Sequence, residues 1–333
     1  MRYEDCVYGE FEITEPIILE LINSPSLQRL KNIDQGGYRP LLAKSNIHIN
    51  KYDYNRFAHS VGVYLLLKKY KAPLEEQISG LIHDVSHSVF SHCIDYILDV
   101  GSGKEQNHQD NCFNNFIKKT EIPGIIKKHG FDLEYILNDE NFPLKEKNLP
   151  DLCADRIDYS LKTASIFGEQ NNRDKDYILD NLIVENNNWL FKDLKSAKKY
   201  AELFLKLNTV YYSGLSSAIM FKAVGDCIKH ALEKKYITEN DLYKTDDVVL
   251  EKIQKFLDKD KKLNLFWNRM NNNIKADNNP NDYDAQVFCK SRVVDPLFKD
   301  NGVLKRLSET EISWSDIIKK ELEPKEYFIK FTQ

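Results

Sequence analysis

Residues 55–92, NRFAHSVGVYLLLKKYKAPLEEQISGLIHDVSHSVFSH, carry the pattern on which the fold turns. Phe57, Val61, Tyr64 and Leu65 recur at i, i+4, i+7 and i+8, the spacing that lines one face of an α-helix. Pro73 can open a second helix, because its missing N–H costs nothing in a first turn. Leu74, Ile78, Leu81 and Ile82 then repeat the same face up to His83. H-D-x-x-H at 83–87 closes that apolar run, a placement that lets His83 and His87 share a helix face.

Outward from this stretch the helical signal continues. Residues 15–33 read as a helix that breaks and restarts at Ser24-Pro25 and ends at Gly36-Gly37. Residues 38–54 read as an irregular loop or small hairpin, and further helical patterns fall near 86–99, 107–119, 150–166, 194–212 and 214–235. LIVENNNWLFKD alternates about an asparagine turn and predicts a β-hairpin near 182–193. After Tyr236 the character changes: Thr238 and Asp241 make a capping pair, polar loops follow at 271–283, and QVFCKSRVV and EYFIKF look strand-like. The expected fold is all-α, a mainly helical body with a small hairpin over 1–235, followed by a smaller α+β accessory region over 236–333.

With 333 residues, 42% hydrophobic and 29% charged, the composition is that of an ordinary globular protein large enough for one substantial core. A net charge of -4 gives no overall basic character, so nucleic-acid binding would need a local patch and none is indicated. Paired lysines such as Lys68-Lys69 and Lys198-Lys199 read as solvated helix faces. The six cysteines are scattered without a C-x-x-C pair, which excludes a zinc ribbon and points to no disulfide framework. No window approaches the apolar length of a membrane span, and MRYEDCVYGE lacks a signal core, so a cytoplasmic location without a membrane partner is expected.

Chemistry concentrates in one region. His59, His83, His87, His92 and His108 are five of the eight histidines, and Asp84, Asp95 and Asp110 accompany them. Imidazole nitrogens and carboxylate oxygens are natural ligands of divalent first-row metals, and no thiolate lies among them. The run is not the zincin motif, whose second residue is a glutamate placed as base. A hydrogen-bonded polar core without metal is the plain alternative; singly, Tyr159 suits a core, Arg56 a surface and His92 a helix cap.

NRFAHSVGV at 55–63, HDVSHSVFSH at 83–92 and DRIDY at 155–159 together resemble the signature of the HD-domain phosphohydrolase superfamily, most nearly its deoxynucleotide triphosphohydrolase branch. VYGEFEI at 7–13 and QRLKNIDQGG at 28–37 extend the resemblance. It implies one divalent metal, with Mn, Fe, Co, Ni, Zn and Mg not distinguished, held by His59, His83, Asp84 and Asp155. It also implies a catalytic His108 partnered by Asp95, and His87 and His92 turned to the phosphates. Arg56 would neutralise a phosphate, and Gln35 and Tyr159 would contact the sugar. The implied substrate is a nucleotide, in this branch a dNTP cleaved to deoxynucleoside and triphosphate, by a homo-oligomer. An HD-type phosphodiesterase or nuclease and a non-catalytic nucleotide-binding regulatory module are the competing readings. Two departures bear on substrate. SLKT, with Lys162 and Thr163, stands where relatives often carry an Arg-Asp pair. In NTVYYSGLSSAIMFK at 208–222 the aromatics Tyr211 and Tyr212 are kept, but small residues replace the expected cations, leaving Lys222 as a candidate substitute.

Overall fold

The computed structural model describes residues 1–42, 53–97 and 104–332. The expected loop or hairpin over 38–54 therefore lies largely outside the described residues, apart from a short helix Arg39–Leu42. The Asn55 side chain accepts from Ala58 N and starts the helix Arg56–Lys69. Twelve consecutive residues of that helix, Arg56 to Leu67, are buried, so it is a central strut rather than an amphipathic cover. Leu74–Ile82 packs along one side of it and Ala154–Ile166 along another. The second approach depends on Gly62. A Cβ there would stand 1.9 Å from Lys162 Nζ and 2.1 Å from Asp158 Oδ1.

One expected helix is not formed. Over 86–99 the chain leaves the preceding helix at His83 and turns through i→i+3 bonds, Val85 N to Ile82 O and His87 N to Asp84 O. Among the described residues of this stretch only a 3-10 helix, Ser91–Tyr96, follows. The cause is competition for backbone donors. Val89 N is taken by Leu242 O at 2.8 Å and Phe90 N by the Asp246 carboxylate at 2.8 Å, so neither can join a helical ladder. The detour lets the segment cross between two apolar cores. Val85 belongs to the core around Arg56–Lys69, while Val89, Phe90 and Cys93 belong to a second core. That second core surrounds the helix Leu215–Glu233, with Lys261–Met270 and the strands Ala285–Cys289 and Lys325–Thr332. His83 and His87 are thus neighbours across a turn, not along a helix face.

The other helices expected in the body are present as His108–Ile117, Ala154–Ile166, Leu194–Leu207 and Leu215–Glu233. Between the last two lies a π-helical turn, Asn208–Tyr212. The hairpin forms from Leu182–Glu185 and Asn188–Phe191, with Asn186 and Asn187 supplying the positive φ a two-residue turn requires. Sequence reading passed over an N-terminal hairpin, Arg2–Asp5 with Gly9–Glu12, and the helix Asn172–Asn181.

Beyond residue 236 the chain is mixed α and β. Leu297–Asp300 pairs in parallel with Asn188–Phe191, so this region extends the body's hairpin into a four-stranded sheet completed by Val303–Arg306. Lys275–Asn278 and Ala285–Cys289 flank Lys325–Thr332 in a second, antiparallel sheet. No helix among the described residues is long and apolar enough to cross a membrane.

Candidate metal centre

Three segments converge at one buried point. The first turn of Arg56–Lys69 supplies His59, the end of Leu74–Ile82 supplies His83 and Asp84, and the first turn of Ala154–Ile166 supplies Asp155. His59 Nε2 lies 2.8 Å from Asp155 Oδ1 and 3.7 Å from Asp84 Oδ2. His83 Nε2 lies 3.4 Å from Asp84 Oδ1 and 3.5 Å from Asp155 Oδ1. Ligand atoms of His59, His83 and Asp155 all fall within 4.8 Å of one another.

The tautomers suit coordination. His83 Nδ1–H donates to Gly80 O at 2.8 Å, which turns Nε2 toward the cluster. That Nε2 is buried and has no hydrogen-bond partner. His59 Nδ1 pairs with Asp158 Oδ2 at 2.7 Å, and Asp158 in turn accepts from Lys162 Nζ at 2.8 Å. A carboxylate behind a ligating imidazole fixes its orientation and raises its basicity. Two aimed imidazole nitrogens and two carboxylates, one nitrogen buried and unsatisfied, fit a divalent cation.

Charge at the centre is finely opposed. Burial alone would depress His59, but hydrogen bonds to Asp155 and Asp158 and the charges of Asp158 and Asp84 outweigh it and lift the ring to about 9. Burial would raise Asp84, yet His83 and Arg56 hold it well below the usual carboxylate range. His87 is pushed down to about 3 by burial and then by the Arg56 charge, so it is a neutral ring. Its Nε2 stands 3.3 Å from Asp84 Oδ1. Arg56 bridges the site: Nη1 to Asp84 Oδ2 at 2.9 Å, Nε to Ser91 Oγ at 2.9 Å and Nη2 to Gln35 O at 3.1 Å.

The cluster opens into a cavity of about 600 Å³. Of the residues singled out from sequence, Gln35, Arg56, His83, Asp84, His87, His92, Asp155 and Tyr159 reach its wall. His59 stands behind them, 1% exposed. The expected pairing of Asp95 with the His108 ring is not what forms. Asp95 Oδ2 accepts from His92 Nδ1 at 3.2 Å, while its other oxygen accepts the backbone N–H of His108 at 2.9 Å. The His108 ring turns instead to the Tyr243 hydroxyl at 3.2 Å and is not on the cavity wall. The His-Asp dyad facing the cavity is therefore His92–Asp95. Lys222 also stays off the wall, paired with Asp226 at 2.6 Å. Tyr211 and Tyr212, singled out in NTVYYSGLSSAIMFK, also reach the wall; sequence reading missed Phe167 and the cations Lys290 and Arg292. The π-helical turn, an interruption common at functional sites, carries the two tyrosines; nothing local marks Phe167, Lys290 or Arg292.

A mainly helical chain with a buried two-histidine, two-aspartate centre at the floor of a polar cavity has the architecture of a metal-dependent hydrolase. No family model matches the chain. It is 32% identical over 313 residues to the YdhJ protein of Bacillus subtilis, covering 93% of each. It is 30% identical over 255 residues to the metal-dependent phosphohydrolase cns2 of Cordyceps militaris, covering 73% of this chain and 70% of that one. A shorter match, 28% over 178 residues, covers 44% of this chain and 26% of mouse SAMHD1, a deoxynucleoside triphosphate triphosphohydrolase. Among solved structures, a phosphohydrolase from Bacteroides thetaiotaomicron superposes with a TM-score of 0.71 over the full length of both chains at 16% identity, a likeness of fold. The chain belongs to the HD-domain metal-dependent phosphohydrolases.

Proposed function

We propose that this enzyme hydrolyses a phosphate bond of a nucleotide, its substrate being a deoxynucleoside triphosphate and its products the deoxynucleoside and triphosphate. The observation that carries the reading is one cavity joining the His59, His83, Asp84 and Asp155 cluster to the Arg56 guanidinium and an aromatic wall. The SAMHD1 likeness supports the choice of substrate.

His59, His83, Asp84 and Asp155 would hold the divalent cation. When bound, such a cation supplies an acidified water and neutralises charge gathering on phosphorus oxygens. Arg56, anchored by Asp84 and Ser91, keeps a fixed positive charge at the same wall. His87 lies on the same wall, where a ring N–H not spent on Asp84 would meet a phosphate oxygen. His92, its Nδ1–H held by Asp95 and its ring kept neutral by burial, is the group placed to take a proton from the attacking water on Nε2 and pass it to the departing oxygen. Gln35, whose buried Oε1 lacks a protein partner, and Tyr159 face the sugar.

The test is product identification on a panel of dNTPs, deoxynucleoside monophosphates and a labelled oligonucleotide, under Mn, Co, Ni, Zn and Mg in turn. Free triphosphate from a dNTP, abolished by His83→Ala, is the expected result. Silence across the panel with metal bound overturns the reading, and cleavage confined to the oligonucleotide assigns the site to a nuclease.

A further inference from the structure

Among the described residues six Lys and Arg side chains border the cavity: Arg56, Lys145, Lys147, Arg156, Lys290 and Arg292. Four are committed elsewhere. Arg56 pairs with Asp84 at 2.9 Å, Arg156 with Glu146 at 3.7 Å, and Lys145 with Asp139. Lys147 bonds the hairpin turn at Asn187 O, 3.3 Å, and the Asn188 side chain. Lys290 and Arg292 differ. Among the described residues neither has a carboxylate within ion-pair distance, although both are half-buried. Two adjacent half-buried positive charges repel, and burial followed by the Arg292 charge lowers Lys290 below the usual lysine value.

Their placement is built, not incidental. Arg292 N donates to Asn208 Oδ1 at 2.9 Å, and Asn208 Nδ2 donates to Ser291 Oγ at 3.0 Å and Glu321 Oε2 at 3.2 Å, a wholly buried cluster. Arg292 Nη2 donates to Gln106 Oε1 at 2.8 Å and Nη1 to Lys290 O at 3.3 Å. Asn208 opens the π-helical turn that sets Tyr211 and Tyr212 on the wall, so one residue positions both the aromatic lining and the cation pair. The Arg292 charge is felt at His92 and at Tyr159, which puts it over the cavity rather than at its outer edge. The charges of Asp110 and Glu105 offset Lys290 only in part, and a pair of cations left incompletely balanced at a cavity is stabilised by an anion.

We propose that Lys290 and Arg292 grip the phosphate groups beyond the reacting one, so that the enzyme selects polyphosphate esters over monoesters. This rests on the nucleotide-hydrolase reading for the identity of the ester, but the grip itself is testable without turnover. The probes are inorganic tripolyphosphate and orthophosphate, titrated by calorimetry into the metal-loaded protein at a fixed free metal concentration. Lys290→Gln is expected to weaken tripolyphosphate about tenfold and leave orthophosphate unchanged, while Lys290→Arg keeps wild-type affinity. Arg292→Gln should behave as Lys290→Gln does; if it melts early, the Lys290 variants alone decide, since among the described residues the Lys290 side chain makes no hydrogen bond or ion pair to lose. Tripolyphosphate bound by Lys290→Gln as by wild type overturns the proposal, and so does an equal loss for both probes. A silent nucleotide panel beside an intact tripolyphosphate effect would sink the hydrolase reading and leave the grip standing.

Discussion

Asp158 shows how a residue that never reaches the cavity can govern it. Its two oxygens hold His59 Nδ1 and Lys162 Nζ, at 2.7 and 2.8 Å, and it is fully buried. Lys162 closes a buried relay with Asp5, 2.8 Å away, and Asp158. Asp158→Asn keeps the volume and leaves Lys162 its Asp5 partner, but removes the charge behind His59. Metal affinity is expected to fall about 10- to 100-fold, read by competition against a chelating dye. Unchanged affinity in a variant that melts like wild type would show that Asp158 merely fills space.

At the scale of elements, the close crossing at Gly62 decides whether the ligands meet. On an exposed helix, Gly→Ala gains about 1 kcal/mol. Here the added methyl enters the Lys162–Asp158 pair, and disturbing a buried pair costs about 3–5 kcal/mol. Gly62→Ala should therefore be destabilised by roughly 2 kcal/mol or more, measured by denaturant unfolding; a variant as stable as wild type refutes the tight crossing. The helices that carry His59 and Asp155 were legible because their apolar periodicity and caps are local. So was the asparagine-turned hairpin. The turn at 83–90 was not, since its helix is forbidden by Leu242 and Asp246, more than 150 residues away in sequence. The exchange of His92 for His108 as Asp95's ring partner was likewise hidden, because spacing brings both histidines near the carboxylate and only the backbone path chooses between them. Lys290 and Arg292 carried no signal at all. Their meaning depends on Asn208, in an element that reads as plain helix.

Over the whole molecule, the metal and the fold are coupled. Chelation should lower the melting temperature by several degrees, since a ligand at a hundredfold excess over its Kd contributes about 2.7 kcal/mol; an unshifted melt would mean that no metal was bound by the folded state. A second coupling joins the region after 236 to the site. Asp246 accepts Asp34 N at 2.9 Å and Phe90 N at 2.8 Å, fastening the later helix Asp246–Gln254 to both segments that flank Arg56's partners. Burial, and then the charges of Asp34 and Asp247, outweigh those two donors and push its carboxyl up to about 7 from 3.8. The folded chain thus keeps a proton that the unfolded chain has released, so Asp246's contribution weakens as pH rises from about 4 to about 7, by up to roughly 4 kcal/mol. Asp246→Asn cannot ionise, and it gives up one acceptor at every pH. Unfolding free energies of the two proteins, measured from pH 4 to 8, should therefore converge or cross as pH rises, the variant gaining on wild type across that window. Parallel curves would mean that Asp246 is already charged in the fold, and that its two backbone bonds prevail over burial.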